Sequence, residues 1–200
     1  MNKVKISNLA RAGVVAVALV MFSSASSFAQ NAPKPSKSKR EYIQATAQGT
    51  STQMGRMISI QITIEDYSTP EDQQALLEAF QQKGQEGLFR AVEKMKAKGR
   101  MAITGTLGYD INYIREFRMP DGSRKIRLVT DRPIRFGEAW ADTRSSDYNL
   151  SAAEIILSPQ KSKNSGTLLP ACMFNFDKED GLEIETYQNP WELVNIKVWK

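Results

Sequence analysis

The chain has 200 residues, of which 27 are Lys or Arg and 22 are Asp or Glu, so its formal net charge is +5. It contains no His and a single Cys. These counts exclude Ser-His and Cys-His nucleophile systems, most types of zinc site, and any disulfide within one chain. The sequence also has no Walker loop or dinucleotide fingerprint, and we expect neither a metal nor a cofactor.

The amino-terminal segment has the three parts of a secretory signal peptide. Residues 1–11 carry cations and no acid, residues 12–22 form an unbroken apolar run, and Ser27 and Ala29 suit a cleavage site. The apolar run of 11 residues is shorter than the ~20 residues of a membrane-spanning helix. We therefore predict a signal peptide over residues 1–29, with an uncleaved anchor as the alternative.

Cleavage at that position changes the charge balance of the protein. It removes three cations and no acid, which lowers the formal net charge from +5 to +2. The mature chain is expected in a periplasm or outside the cell, without a transmembrane anchor. Because an exported chain with nearly balanced charge suits nucleic acid poorly, we expect no nucleic-acid partner.

The mature chain is predicted to contain a short leader and one folded domain. Residues 30–41 hold two Pro and four cations, a composition typical of a flexible leader. Residues 42–200 are long enough for a single domain with a substantial core. The clearest strand in it is ISIQITI, because every second residue from Ile58 to Ile64 is Ile.

A helical segment is predicted after that strand. Thr69 can cap a helix that has Pro70 at its first position. The apolar pattern pauses at Gly84 and then continues to Lys98. We therefore predict an αα-hairpin, or one helix kinked at Gly84 and Gly87.

A hairpin rich in Arg is predicted later in the chain. A turn centred on Asp121 and Gly122 would place Glu116 opposite Arg127. In that register most of the basic side chains lie on the solvent face of the hairpin. Arg115 is the exception, because it falls on the apolar face and would need an acid, a ligand or a route to water.

Strand patterns separated by short turns predict an antiparallel sheet. We expect an α+β fold in which about eight strands form a curved antiparallel β-sheet or partial barrel, with one inserted αα-hairpin. A sandwich of two sheets is the alternative. A short helix is also expected within residues 137–142.

Four arginines are candidate ligands for an anion. Arg115, Arg127, Arg132 and Arg135 could together bind a phosphate, sulfate or carboxylate group. The alternative is a solvated sheet face whose arginines form ion pairs with acids such as Glu116.

Acidic side chains offer a second kind of site. Two of Glu65, Asp66, Asp142 and Asp147 could form the carboxylate pair of a glycoside hydrolase. Ordinary structural roles are the alternative, because Asp66 precedes a helix start and Asp147 lies in a turn pattern.

Several other residues carry reactive or aromatic groups. Ser158 and Lys161 match S-x-x-K, but the Pro and polar residues around them predict an exposed loop. Cys172 lies in an apolar stretch and is expected to be buried. The three Trp residues suit either a pocket or the core, and they are Trp140, Trp191 and Trp199.

The order of these motifs resembles that of a group of exported bacterial proteins of unknown function. The resemblance rests on IxIxI, KGR, the Arg-rich hairpin, LVTDRPIRFGEAW, TRSSDY and FDKEDGLEIE, and it spans about residues 42–199. It implies export and a shared domain, and it carries over no site residue.

The sequence therefore favours an exported non-catalytic domain that binds a small ligand or a cell-envelope partner. The alternative function is a carboxylate-dependent hydrolase acting on an extracytoplasmic polymer. The identity of the ligand, the oligomeric state, and the choice between periplasm and secretion stay open.

Overall fold

The computed structural model describes residues 40–134, 149–177, 181–185 and 190–200. Within these ranges the chain forms nine strands, one α-helical segment, α1 (Pro70–Lys94), and two short 3-10 helices (Ser51–Gln53 and Lys161–Lys163). The strands are β1 (Glu41–Gln48), β2 (Met57–Ile64), β3 (Gly99–Ile103), β4 (Tyr109–Arg118), β5 (Arg124–Thr130), β6 (Leu150–Leu157), β7 (Ser165–Asp177), β8 (Gly181–Glu185) and β9 (Trp191–Trp199).

Eight of these strands close into an antiparallel barrel. The order around the ring is β6, β5, β4, β3, β2, β1, β9 and β7, and β7 pairs again with β6. β8 pairs with β7 beyond the closed ring. The predicted antiparallel sheet is confirmed, but the barrel is closed where a partial barrel was expected. Closure gives the backbone groups of both outer strands a partner, which an open edge would leave to solvent.

The inside of the barrel is packed with apolar side chains. The predicted strand from Ile58 to Ile64 lies within β2, and Ile60, Ile62 and Ile64 point inward with 1% of their surface exposed. Inward residues of the other strands complete this core, among them Ile43, Met101, Ile111, Ile114, Ile126, Leu128, Ile155, Leu168, Trp191 and Leu193. Alternation of inward and outward residues along each strand produces this arrangement.

The helical segment begins and breaks where the sequence indicates. Thr69 and Asp72 form a capping box, in which Asp72 N donates to Thr69 Oγ1 at 3.2 Å and Thr69 N donates to Asp72 Oδ2 at 2.8 Å. The break lies at Lys83 and Gly84, and Gly84 has a φ of 56° that favours Gly. A Cβ at Gly87 would lie 2.2 Å from the carbonyl oxygen of Ala79, so the two halves of α1 approach closely there.

α1 covers the outer face of several strands and creates a second core. Leu76, Leu88 and Val92 of α1 are fully buried in this core. Asn112 of β4 fixes the end of α1, because its Nδ2 donates to the carbonyl oxygens of Val92 at 3.0 Å and Met95 at 2.9 Å. The remaining buried members are Tyr113, Val129, Leu150, Ala152, Leu169, Cys172 and Phe174, so the predicted burial of Cys172 is confirmed.

The register of the Arg-rich hairpin differs by one residue from the prediction. Arg115 faces Arg127 and Glu116 faces Ile126, where we expected Glu116 opposite Arg127. Met119 N donates to the carbonyl oxygen of Ser123, and Gly122 has a φ of 81°. This is a three-residue loop with a left-handed Gly, which adds one residue to the two-residue turn assumed from the sequence.

A bulge in β9 changes which of its residues face the barrel interior. Trp191 and Leu193 point inward near its start, and Ile196 is the next buried residue. Asn195 lies between them with a φ of 53°, a conformation that Asn tolerates better than most residues. The pairing of β9 with β1 shifts at the same place. The bulge therefore turns Ile196 towards one end of the barrel.

Some sequence predictions concern residues outside the described ranges. They are the signal peptide (residues 1–29), the short helix (residues 137–142), Arg135, Trp140, Asp142 and Asp147. The predicted leader, residues 30–41, is described only at Arg40 and Glu41, and Glu41 already belongs to β1. No helix in the described part of the chain has the length and apolarity needed to cross a membrane.

Candidate functional site

An ion pair crosses the interior at one end of the barrel. β1 and β5 have three strands between them in either direction around the ring, so they form opposite walls. Glu41 at the start of β1 accepts two hydrogen bonds from Arg124 at the start of β5, from Nη1 at 2.9 Å and from Nη2 at 3.0 Å. This bidentate geometry is the strong form of an Arg–carboxylate contact. The pair thereby joins the two walls.

Three more side chains belong to the network around the crossing pair. Arg124 Nη2 also donates to Glu116 Oε2 at 2.7 Å, so this guanidinium serves two carboxylates. Tyr67, which follows β2, donates from its hydroxyl to Glu41 Oε2 at 3.0 Å. Lys200 Nζ lies 3.8 Å from the same oxygen. Buried charges are stable only when paired in this way.

The network keeps its groups in defined protonation states. Burial raises the pKa of Glu41, but the hydrogen bonds and the charge of Arg124 lower it. The lowering outweighs the rise, so the pKa of Glu41 lies below its ordinary 4.5. Burial raises the pKa of Tyr67, and the adjacent Glu41 carboxylate adds to that rise. At neutral pH Glu41 is therefore an anion and Tyr67 is a neutral donor.

A cavity of about 670 Å³ lies beside the crossing pair at this end of the barrel. Its apolar lining includes Leu157 of β6 together with Ile196 and Val198 of β9. Leu157 and Ile196 are 8% and 7% exposed, so they form the wall where the barrel core reaches the cavity. Glu41 and Arg124 supply part of the polar lining. We call this space the barrel-end cavity.

The loop between β6 and β7, residues 158–164, forms the outer side of the barrel-end cavity. Asn164 holds the loop in place, because its Oδ1 accepts from Ser158 N at 2.9 Å and its Nδ2 donates to the Ile196 carbonyl oxygen at 3.4 Å. The tip of the β4–β5 hairpin meets the loop, since a Cβ at Gly122 would lie 3.5 Å from Pro159 Cγ. This is the loop that contains the S-x-x-K match, and it connects two strands as predicted.

Cations dominate the charged lining of the barrel-end cavity. They are Arg124, Lys161, Lys197 and Lys200, and among the described residues of the lining there is one acid, Glu41. Lys161 and Lys197 are exposed, and neither forms an ion pair with any residue in the described ranges. Since Glu41 is already paired with Arg124, these two lysines leave the rim with an excess of positive charge.

Two of the four arginines predicted to bind an anion come together outside the barrel. Arg115 and Arg127 are direct partners across β4 and β5. Their guanidinium carbons lie 4.8 and 5.4 Å from the ring centre of Phe117, and Lys125 Nζ lies 5.0 Å from it. These contacts are within cation–π range. This basic outer cluster is separate from the barrel-end cavity.

The predicted solvent exposure of Arg127 is wrong. Its residue surface is 5% exposed, and its Nε lies 2.6 Å from Oε1 of Glu154 on β6. The one-residue shift in register exchanged the two faces of β4. It brought Phe117 to the outer face, where Arg127 packs against it. The contacts of Arg127 therefore agree better with the alternative role, an ion pair within the sheet, than with that of an accessible anion ligand.

The other two arginines of the predicted site do not join this cluster. Arg132 follows β5 at its far end, where it contacts the Tyr109 ring at 6.0 Å and forms an ion pair with Asp131 at 3.2 Å. From Arg127 to the end of β5 at Thr130 the strand rises roughly 10 Å, and Arg132 lies beyond that end, away from Arg127. Arg135 lies outside the described residues.

The acids proposed for a hydrolase have ordinary contacts where they are described. Glu65 Oε1 lies 3.3 Å from Arg40 Nη2 at the surface. Asp66 Oδ1 accepts a hydrogen bond from Tyr67 N at 2.9 Å, a local turn contact. Asp142 and Asp147 lie outside the described ranges. In those ranges no group of three or more His, Cys, Asp or Glu side chains is arranged to hold a metal ion.

The sequence prediction missed the groups that line the barrel-end cavity. Glu41 shares the inward face of β1 with Ile43, and Arg124 shares the inward face of β5 with Ile126. A charged residue at the end of an inward, apolar series was the available signal. It was overlooked because Glu41 had been assigned to the leader and because the displaced register put Glu116, the second carboxylate bound by Arg124, on the solvent face.

Comparison of the chain with protein-family models, with curated proteins and with solved structures gave no match. The resemblance to exported bacterial proteins therefore stays a prediction. A proposal about function depends on the geometry of the described residues.

Proposed function

We propose that the protein is an exported, non-catalytic domain that binds a small ligand in the barrel-end cavity. The observation that carries this proposal is a concave site of about 670 Å³ at the end of a barrel whose interior is filled by side chains. Small eight-stranded barrels have room for side chains or for one small ligand. Barrel mouths are also a preferred location for ligand sites.

The site has the composition expected of a ligand pocket. Apolar residues from β6 and β9 form much of its wall, and polar groups from β1, β5, the β6–β7 loop and β9 complete the lining. Two of these polar groups, Glu41 and Arg124, are held in fixed positions by their mutual hydrogen bonds. A preorganised site loses less conformational entropy when a ligand binds.

The protonation state of Glu41 favours binding over acid catalysis at this end. A carboxyl group that acts as a general acid near neutral pH needs a raised pKa. The pKa of Glu41 is instead lowered, because Arg124 stabilises its charged form. This supports the binding function over the alternative, a carboxylate-dependent hydrolase acting on an extracytoplasmic polymer.

The proposal is tested by blocking the cavity with a single side chain. Ser158→Trp places an indole on a residue that lines the cavity, and Gln160→Trp places the same group on an exposed residue of the same loop outside the lining. Two fluorescent dyes serve as probes: 1-anilinonaphthalene-8-sulfonate and its uncharged parent, N-phenyl-1-naphthylamine. We expect saturable binding of at least one dye, weakened by about tenfold or more in Ser158→Trp and unchanged in Gln160→Trp.

Two results would contradict the proposed function. One is the absence of saturable binding of either dye to the folded wild-type protein. The other is equal binding to wild type and Ser158→Trp, which would place the dyes elsewhere. Circular dichroism of both variants shows whether each retains the fold.

A further inference from the structure

We infer that the ligand of the barrel-end cavity is an amphipathic anion, with an apolar body and a carboxylate, sulfate or phosphate group. This inference rests on the proposed function and names the chemical class of its ligand. It depends on two properties of the same lining: an apolar wall, and an excess of cations without an acidic partner among the described residues.

The apolar wall of the cavity would contact the apolar body of the ligand. Leu157, Ile196 and Val198 continue the barrel core to this end. Trp199 adds an aromatic surface that is 49% exposed. Its indole is held by stacking on Tyr42, with ring centres 6.4 Å apart and planes 17° from parallel. Burying this surface under a ligand is favourable in proportion to the apolar area removed from water.

The negative charge of the ligand is inferred from two lysines of the lining, Lys161 and Lys197, that have no acidic partner among the described residues. Glu41 binds Arg124 through both of its oxygens, and Lys200 lies 3.8 Å from it. Lys161 and Lys197 have no acidic partner in the described part of the chain, and they reach the cavity from the β6–β7 loop and from β9. An anion between these two elements gains charge-assisted hydrogen bonds to ammonium groups.

The same lining disfavours ligands of other charge. A cationic ligand would meet four cations, while the acid in the lining is already bound by Arg124. A neutral apolar ligand would use the wall formed by Leu157 and Ile196 but would gain nothing from Lys161 or Lys197. An amphipathic anion is the ligand class that uses both parts of the lining.

The two dyes test this directly, because they share one aromatic framework and differ by a sulfonate. We expect the sulfonated dye to bind about tenfold more tightly than the neutral dye at low salt. The difference should shrink in about 1 M salt, where the Debye length falls to about 3 Å. Displacement of the bound dye by dodecanoate or by dodecyl phosphate distinguishes a carboxylate headgroup from a phosphate, with dodecanol as the uncharged control.

Charge-neutralising variants assign the effect to the cavity rim. In Lys161→Gln/Lys197→Gln we expect binding of the sulfonated dye to weaken about tenfold and binding of the neutral dye to stay unchanged. Lys163→Gln is the matched control, because Lys163 is an exposed residue of the same loop outside the lining. It should leave both affinities unchanged.

The outcomes separate failure of this inference from failure of the proposed function. Equal affinity of the two dyes, or unchanged binding of the sulfonated dye in the double variant, overturns the inference. If Ser158→Trp still weakens that binding, the proposed function survives. Binding that does not respond to Ser158→Trp overturns both.

Discussion

Two arginines of one strand show how position decides the role of a charged side chain. Arg124 and Arg127 both belong to β5, but Arg124 points into the barrel and Arg127 points out. Arg124 crosses to Glu41 on the opposite wall, whereas Arg127 binds Glu154 on the neighbouring strand. Both are largely withdrawn from water, so each depends on its carboxylate partner.

For Arg127 we predict a structural role that mutation will reveal. Arg127→Gln should lower the free energy of unfolding by about 2 kcal/mol, because it removes a buried guanidinium and leaves Glu154 without this partner. Lys125→Gln on the same outer face should change stability by less than about 0.5 kcal/mol. Urea denaturation of both variants measures the difference. Equal stability of the two variants would contradict this structural role of Arg127.

For Glu41 we predict a stability contribution that depends on pH. Because the pKa of Glu41 is lowered in the folded protein, protonation favours the unfolded chain. Its contribution is fully present above pH 4.5, the ordinary value, and is lost as the pH falls through the lower pKa of the folded state. Glu41→Gln should therefore cost about 2 kcal/mol near pH 7 and progressively less in acid.

Denaturant unfolding of wild type and Glu41→Gln between neutral and acid pH checks this pH dependence. Glu65→Gln is the control, because that side chain is 53% exposed in its ion pair with Arg40. A stability difference for Glu41→Gln that stays constant with pH, or grows in acid, would show that the carboxylate is not held by Arg124 as described.

At the scale of elements, the turn of the β4–β5 hairpin determines which side chains meet. The three-residue loop around Gly122 sets Arg118 opposite Arg124 and Arg115 opposite Arg127. A two-residue turn would exchange the faces of one strand, because side chains alternate with a period of two. The inward position of Glu116, beside Arg124, therefore depends on the conformation of a single glycine.

For Gly122 we predict a cost set by backbone conformation. Gly122→Ala should lower the free energy of unfolding by about 1 kcal/mol, since its φ of 81° is unfavourable for a residue with a Cβ. Gly122→Asn should cost less, because Asn tolerates left-handed backbone better. The added Cβ would lie 3.5 Å from Pro159, an ordinary contact, so crowding is not the cause. Thermal unfolding that ranks Ala above Asn in stability would contradict this explanation.

At the scale of the whole molecule, a closed barrel with a helix on one side makes its strands unequal. β5 is buried on both faces from Ile126 to Thr130, because the core lies inside and α1 packs with other residues outside. β1 keeps its outward side chains partly exposed. The end of the barrel marked by Glu41 and Arg124 carries the cavity, so the function is proposed there.

We predict that the protein is exported and that its mature form begins at Gln30. Native mass spectrometry of protein released from a bacterial periplasm or culture medium measures the cleavage position, the oligomeric state and any retained molecule together. We expect the native mass spectrum to show the mature chain with an amphipathic anion bound. A mass that includes residues 1–29 would contradict signal cleavage.

Much of the secondary structure could be predicted because its signals are local. The alternation from Ile58 to Ile64, the cap at Thr69 and the break at Gly84 each depend on a few neighbouring residues. The register of the hairpin was missed because Asp-Gly occurs in turns of two and of three residues. Closure of the barrel was missed because it depends on the pairing of β1 with β9, the first and last strands of the described chain.

By itself the sequence determined the elements, the burial of Cys172 and the exclusion of histidine chemistry, because composition and short-range periodicity are enough for these. Only the tertiary structure decided that Glu41 meets Arg124, since these residues are 83 positions apart and become neighbours when the barrel closes. The same closure brings Lys161 and Lys197 to one rim. A site made of side chains from distant strands depends on long-range pairing, and no local pattern in the chain encodes it.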